Sequence, residues 1–133
     1  MSGPPETDRQ RREAGLRTRR EVLGDAWVDR AVAGTTPFTA DFQDFITRVA
    51  WGDVWQRPGL ARRDRSLVTL SITIALRHWD EFALHVRAAR NNGLTDEEIA
   101  EVIQHAAVYA GVPAANHAFK VAAPILEELR GQA

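Results

Sequence analysis

The eight residues His78-Trp79-Asp80-Glu81-Phe82-Ala83-Leu84-His85 gather two imidazoles and two carboxylates within about two turns of any helix they form. Glu81 and His85 are four apart, so on a helix their side chains share a face, and a carboxylate beside an imidazole favours the protonated ring. Such a pair can serve as a general acid near neutral pH. It can equally be an idle surface Glu–His pair. Asp80, Glu81 and His85 also offer oxygen and nitrogen ligands, but Glu81 stands where a helical metalloprotease places its first histidine, and no metal is expected. His105 lies on the apolar run of its own segment, and His117 at a position whose face spacing does not decide. Both read as structural histidines.

A second cluster, Arg62-Arg63-Asp64-Arg65, precedes the apolar run Leu67 to Leu76. Three guanidiniums at a helix start oppose the helix dipole and call for partners, which a carboxylate ligand or solvent would supply. All but Lys120 of the 17 basic residues are Arg, a bias that suits bidentate carboxylate binding and that base composition also produces. Trp27, Trp51, Trp55 and Trp79 are placed as core residues before pocket residues are considered. No Gly-rich phosphate loop, nucleophile elbow or Ser/His/Asp arrangement is present. With no cysteine at all, disulfides, thiolate metal sites and thiol nucleophiles are excluded. A net charge of −1 gives no global attraction to nucleic acid or to an anionic membrane. Residues 1–12 lack the apolar centre of a signal peptide, and no apolar stretch approaches the ~20 residues of a bilayer span. A soluble cytoplasmic protein is the expectation.

The elements that must position these residues read as helices. Residues 1–14 form the expected mobile tail, and residues 15–130 a single helical domain. Arg9 to Val22 carries six Arg in its first twelve positions and few apolar residues, as a polar helix or an extended arm would. Thr39 is the expected N-cap of a helix whose stripe is Phe42, Phe45, Ile46, Val49 and Ala50, closed by Pro58-Gly59. Leu67 to Leu76 alternates apolar and polar residues as a strand does, but no other segment offers a partner strand, and a lone strand leaves its backbone unpaired. It is therefore assigned as helix. Asn91-Asn92-Gly93 closes the helix carrying His85. Thr95-Asp96-Glu97-Glu98 is a capping box opening the next one, which Gly111-Val112-Pro113 ends. A last helix runs from Ala114 to Arg130, with Pro124 expected to kink it. The fold class is all-α, with five or six helices. The small residues Ala106, Ala107, Ala110, Gly111, Ala114 and Ala115 suit close helix packing and contact between copies.

Several strings together resemble the γ-carboxymuconolactone decarboxylase family: Arg20-Glu21-Val22-Leu23-Gly24-Asp25, Phe38-Thr39-Ala40-Asp41-Phe42-Gln43, Ala50-Trp51-Gly52-Asp53-Val54-Trp55, Arg57-Pro58-Gly59-Leu60, Arg65-Ser66-Leu67 and Leu84-His85-Val86-Arg87-Ala88-Ala89. Asn92-Gly93-Leu94-Thr95 and Gly111-Val112-Pro113-Ala114-Ala115-Asn116 extend the match, colinear over about residues 15–128. The resemblance implies an alkylhydroperoxidase D-like helical fold, with Leu67–Leu76 helical, assembled as a homo-oligomer (hexamer or trimer). In the peroxide-reducing branch of that superfamily a Cys-x-x-Cys pair precedes a histidine. Placing that histidine on His85 puts the thiol positions at His78 and Glu81, so this chain lacks both sulfurs. The implied activity is cofactor-free decarboxylation of 4-carboxymuconolactone, a small lactone carboxylate, to the enol-lactone of β-ketoadipate in protocatechuate catabolism. No cofactor, nucleic acid or membrane partner is implied. The implied roles are His85 as acid or oxyanion donor, Glu81 as its orienting partner, and Arg65 as carboxylate anchor, with Arg63 and Asn116 as further substrate-binding residues. Other lactones or β-keto acids, or a non-catalytic oligomeric binding role, are the alternatives.

Overall fold

The computed structural model describes residues 7–132, which are helical apart from short connections. The chain divides into two compact units, Met1–Leu60 and Ala61–Ala133, where one domain over 15–130 was expected.

The first unit contains α1 (Asp8–Leu23), α2 (Asp25–Ala33), α3 (Ala40–Ile46) and a π-helical segment, Thr47–Val54. Residues 8–14 are helical and correct the expected tail, whose remaining residues 1–6 lie outside the described residues. The helix starts where it does because Thr7 and Gln10 form a reciprocal capping box, each side chain accepting from the other's backbone N–H. Arg11 then clamps α1 to the π segment with a two-pronged ion pair to Asp53, at 3.0 and 2.5 Å. Two glycines allow this approach. A Cβ on Gly15 would stand 2.0 Å from the Thr47 carbonyl oxygen, and one on Gly52 would stand 2.6 Å from that of Arg11. The two backbones therefore touch directly.

Two expectations for this unit change. Thr39 precedes α3, but its hydroxyl accepts from the Thr36 N–H at 3.0 Å and does not cap the helix. The stripe is also broken: Phe42 and Phe45 are 62% and 51% exposed. Both lie in α3, and the face buried in the π segment that follows is that of Thr47, Trp51 and Gly52. Trp51 is buried and stacks on Trp55 with ring centroids 5.2 Å apart.

The second unit contains α4 (Arg62–Ala75), α5 (Trp79–Asn91), α6 (Asp96–Ala110) and α7 (Val112–Gly131). Its core is Leu70 and Ile74 from α4, Phe82, Val86 and Ala89 from α5, Leu94, Ile99 and Ile103 from α6 and its approach, and a line of α7 residues, Ala114, Ala115, Ala118, Ala122 and Leu126. The alanines of α7 let its backbone lie close, while each large buried side chain contributes about 1.5–3 kcal/mol. Leu67–Leu76 is helical, and its alternation is explained by two apolar faces: Leu70 and Ile74 point inward, while Val68, Ile72 and Leu76 are exposed at successive turns. The capping box of α6 is present as expected, with Thr95 and Glu98 bonding reciprocally at 3.0 and 3.1 Å. Gly111, at φ 104°, ends α6 and opens α7 in a backbone conformation that L side chains rarely adopt. The last helix is continuous through Pro124. Among the described residues no helix is long and apolar enough to cross a membrane.

Candidate functional site

Helix α5 carries the candidate acid–base pair, and its two ends are tied to its neighbours. At its start, the His117 ring of α7 packs at a tilt against Trp79 with centroids 4.5 Å apart, and Trp79 meets Phe82 edge-on at 5.8 Å. At its end, the Asn92 amide donates to the buried Ser66 hydroxyl of α4 at 2.9 Å. The α4–α5 pair is thus an antiparallel hairpin, turned through Arg77 at φ 56°. The start of α4, with Arg65, lies beside the last residues of α5. Seven residues of helical rise separate Asn92 from His85, about 10 Å along the axis. Asn116, exposed in α7 next to His117, belongs to the opposite end, where α5 begins. His85 therefore sits between an arginine at one end of its helix and an asparagine at the other.

The environment of His85 differs from the one its spacing suggested. Its side chain is buried, at 7% exposure, and desolvation pushes its pKa down from 6.5 to about 4. Glu81 is exposed in the first turn of α5, where Asp80 and Glu81 favour the positive end of the helix dipole. The carboxylate in water does not offset the loss of hydration around the buried ring, so the expected protonated imidazole is replaced by a neutral one at pH 7. A neutral imidazole has one N–H to donate and one nitrogen to accept.

Of the arginines, Arg65 is half-buried on α4. Arg63 forms an ion pair with Glu98, whose other oxygen accepts the Thr95 N–H at 3.0 Å, so it fastens α4 to the start of α6. A substrate carboxylate would compete with Glu98 for it. Asp80 and Glu81 lie in solvent while His85 is buried, and no cluster of three possible metal ligands occurs among the described residues.

His105 departs from the structural role expected of it. It is exposed, its ring lies 5.3 Å from that of Tyr109, and it lines a groove of about 410 Å³ with Leu67, Ser71, Glu98, Glu101 and Val102. The apolar run around it hid this, although Glu101 and His105, four apart, carried the same signal as Glu81 and His85.

Residues 40–124 match the carboxymuconolactone decarboxylase family. The chain is 48% identical over 122 residues to the 4-carboxymuconolactone decarboxylase of Acinetobacter baylyi, covering 92% of this chain and 91% of that one. The chain belongs to the carboxymuconolactone decarboxylase family. It is also 45% identical to the nitrosuccinic acid decarboxylase of Metarhizium robertsii, over 88% of this chain and 82% of that one. A shorter match, 50% over 46 residues, covers 35% of this chain and 96% of a 4-carboxymuconolactone decarboxylase sequence from Pseudomonas putida. These family matches span both compact units, and α5 with His85 falls inside the family region.

Proposed function

We propose that the protein is a carboxy-lyase that converts 4-carboxymuconolactone to the enol-lactone of β-ketoadipate in the cytoplasm, without a cofactor. The observation that carries this reading is the near end-to-end similarity to the Acinetobacter baylyi decarboxylase. In that substrate the departing carboxylate sits on a ring carbon conjugated through the alkene to the lactone carbonyl. As its carbon–carbon bond breaks, CO2 leaves and the electron pair passes into a dienolate whose charge rests on the carbonyl oxygen of the lactone. A proton then adds to the ring carbon next to the carbonyl.

His85 is assigned the lactone oxygen. A buried imidazole N–H is a preorganised donor, worth most where water is excluded and where charge appears only in the transition state. Bringing a carboxylate-bearing substrate beside the ring raises its pKa, which allows the same group to carry the proton to carbon. Glu81, one turn away, orients it. Arg65 holds a substrate carboxylate by a charge-assisted fork, with Asn116 and Arg63 in supporting positions. Replacing Arg65 by Met is expected to raise KM about tenfold or more, the loss of one charge-assisted pair, with a smaller change in kcat. Steady-state kinetics check this, and an unchanged KM removes Arg65 from the anchoring role.

The similarity to a nitrosuccinic acid decarboxylase favours a second reading, in which the substrate's electron sink is a nitro group. The two readings need the same donor and anchors. Purified protein incubated with enzymatically generated 4-carboxymuconolactone should consume its absorbance and release CO2. Turnover of nitrosuccinate alone selects the second reading, and no turnover of either refutes both.

The exposed apolar stripe of α4 (Val68, Ile72, Leu76) and Val108 and Tyr109 of α6 support assembly as a homo-oligomer, a hexamer or trimer. Sedimentation of a monomer at micromolar concentration would refute that assembly.

A further inference from the structure

Helix α1 buries an arginine that no carboxylate among the described residues balances. Arg19 is 4% exposed, and its Nε has no hydrogen-bond partner among the described residues. Among the described residues its terminal nitrogens reach only the Gln43 side-chain oxygen, at 3.4 and 3.5 Å, and its guanidinium lies over the Trp27 ring at 5.3 Å. Four other arginines of the first unit have carboxylate partners. Arg11 pairs with Asp53 and Asp8, Arg20 with Asp25 and Asp29, and Arg12 and Arg48 share Asp44. Gln43, neutral, occupies the place where a carboxylate would complete the pattern. A buried cation without a counter-charge is costly, and ordinarily it is either paired or made so by a ligand.

The cation also faces space. Arg19 lines a cavity of about 160 Å³ together with Arg12, Leu16, Val32, Thr35, Gln43, Asp44 and Thr47, all within the first unit. Asp44 adds no net repulsion, because Arg12 and Arg48 both bond it and hold its carboxyl at about 2. The Thr35 and Thr47 hydroxyls already donate to backbone carbonyls, at 3.0 and 2.8 Å. The donor that remains for a ligand is the guanidinium, beside apolar Leu16 and Val32.

We propose that this cavity is a binding site for a small aliphatic carboxylate, which pairs with Arg19 and lays its short chain against Leu16 and Val32. A planar carboxylate matches the guanidinium fork, and the two apolar walls favour an organic acid over an inorganic ion. All the residues that line it belong to the first unit, and the proposal stands whether or not the decarboxylase reading holds.

The probe is butanoate, added to the full-length protein and followed by calorimetry and by backbone amide shifts. Butanoate should perturb the amides of Arg19, Gln43 and Thr47 and raise the melting temperature by mass action. Butanamide, of the same shape without the charge, should do neither, and inorganic phosphate should bind about tenfold more weakly or worse. Arg19→Met should lose about tenfold or more in butanoate affinity, while its ligand-free melting temperature stays level or rises, since the unbalanced charge is gone. Equal binding of butanamide or phosphate, or full affinity in Arg19→Met, overturns the proposal. So does a wild-type protein that ignores butanoate while Arg19→Met dissociates the oligomer, which would give the cavity to a carboxylate of a second copy. Should Arg19→Met fail to fold, the wild-type amide shifts with butanoate against butanamide decide alone.

Discussion

Replacement of His85 by Asn or by Leu is expected to cut kcat by about 10³-fold, in the range that a positioned donor and proton carrier contributes. Asn keeps a donor but ends short of the imidazole's reach and cannot carry a proton, and Leu has neither. Both side chains fit within the volume of the imidazole or close to it, and both variants should retain the helical circular dichroism of the parent. Near-normal decarboxylation by the Asn variant would take the imidazole out of the chemistry. The gap between the Asn and Leu variants reads the share of the donor alone.

The burial of His85 adds a pH signature that a surface pair with Glu81 would not produce. Its pKa in the folded protein is about 4, against 6.5 for an unburied histidine. In the free enzyme the ring is therefore already neutral through the neutral range, and kcat/KM should show no limb near 6.5 from this group. The sign for stability follows from proton counts. Between these two values the unfolded chain binds the proton and the folded chain does not, so stability rises with pH across that window. Above 6.5 both states are neutral and the full stability is present. As the pH falls from 6.5 through 4, on the order of 3 kcal/mol is lost, and below that the group contributes no further slope. Asp44, held at about 2, titrates below this window. Denaturant midpoints measured from pH 7.5 to 4 should fall for the wild type and flatten for His85→Leu.

The second large effect lies in the first unit. In an ordinary helix Gly→Ala stabilises by about 0.5–1 kcal/mol, because glycine has the most backbone freedom to lose. At Gly15 the sign should reverse. The added methyl would stand 2.0 Å from the Thr47 carbonyl oxygen, a backbone atom that cannot swing aside. Prising α1 away from the π segment would also stretch the Arg11–Asp53 pair, and a destabilisation of about 3 kcal/mol is expected, at the upper end of overpacking costs. Thermal unfolding followed by Trp fluorescence reports it, since Trp51 of the π segment stacks on Trp55 just beyond its end. A melting temperature equal to or above the parent's would show that the two backbones do not touch. Gly52→Ala, whose methyl would meet the Arg11 carbonyl oxygen at 2.6 Å, should behave alike.

Much of this was local and therefore legible. The capping box at Thr95 and Glu98, the glycine stops at Gly93 and Gly111, and the all-helical class follow from hydrogen bonds between residues three to five apart. The family strings likewise singled out His85 before any geometry was known. The capping box at Thr7 and Gln10 obeys the same rule, but an arginine-rich, apolar-poor segment reads as a polar helix, an extended arm or a tail until Asp53 and Asp44 arrive to neutralise it. What sequence alone determined was thus the class of fold, the punctuation of the helices and the family. Only the tertiary structure decided the charge on His85, because desolvation depends on what packs around a ring and not on the residue four positions earlier. It also decided that Arg63 is engaged by Glu98 while Arg19 meets only the neutral Gln43 among the described residues, since contacts between 24 and 42 positions apart leave no mark on local spacing.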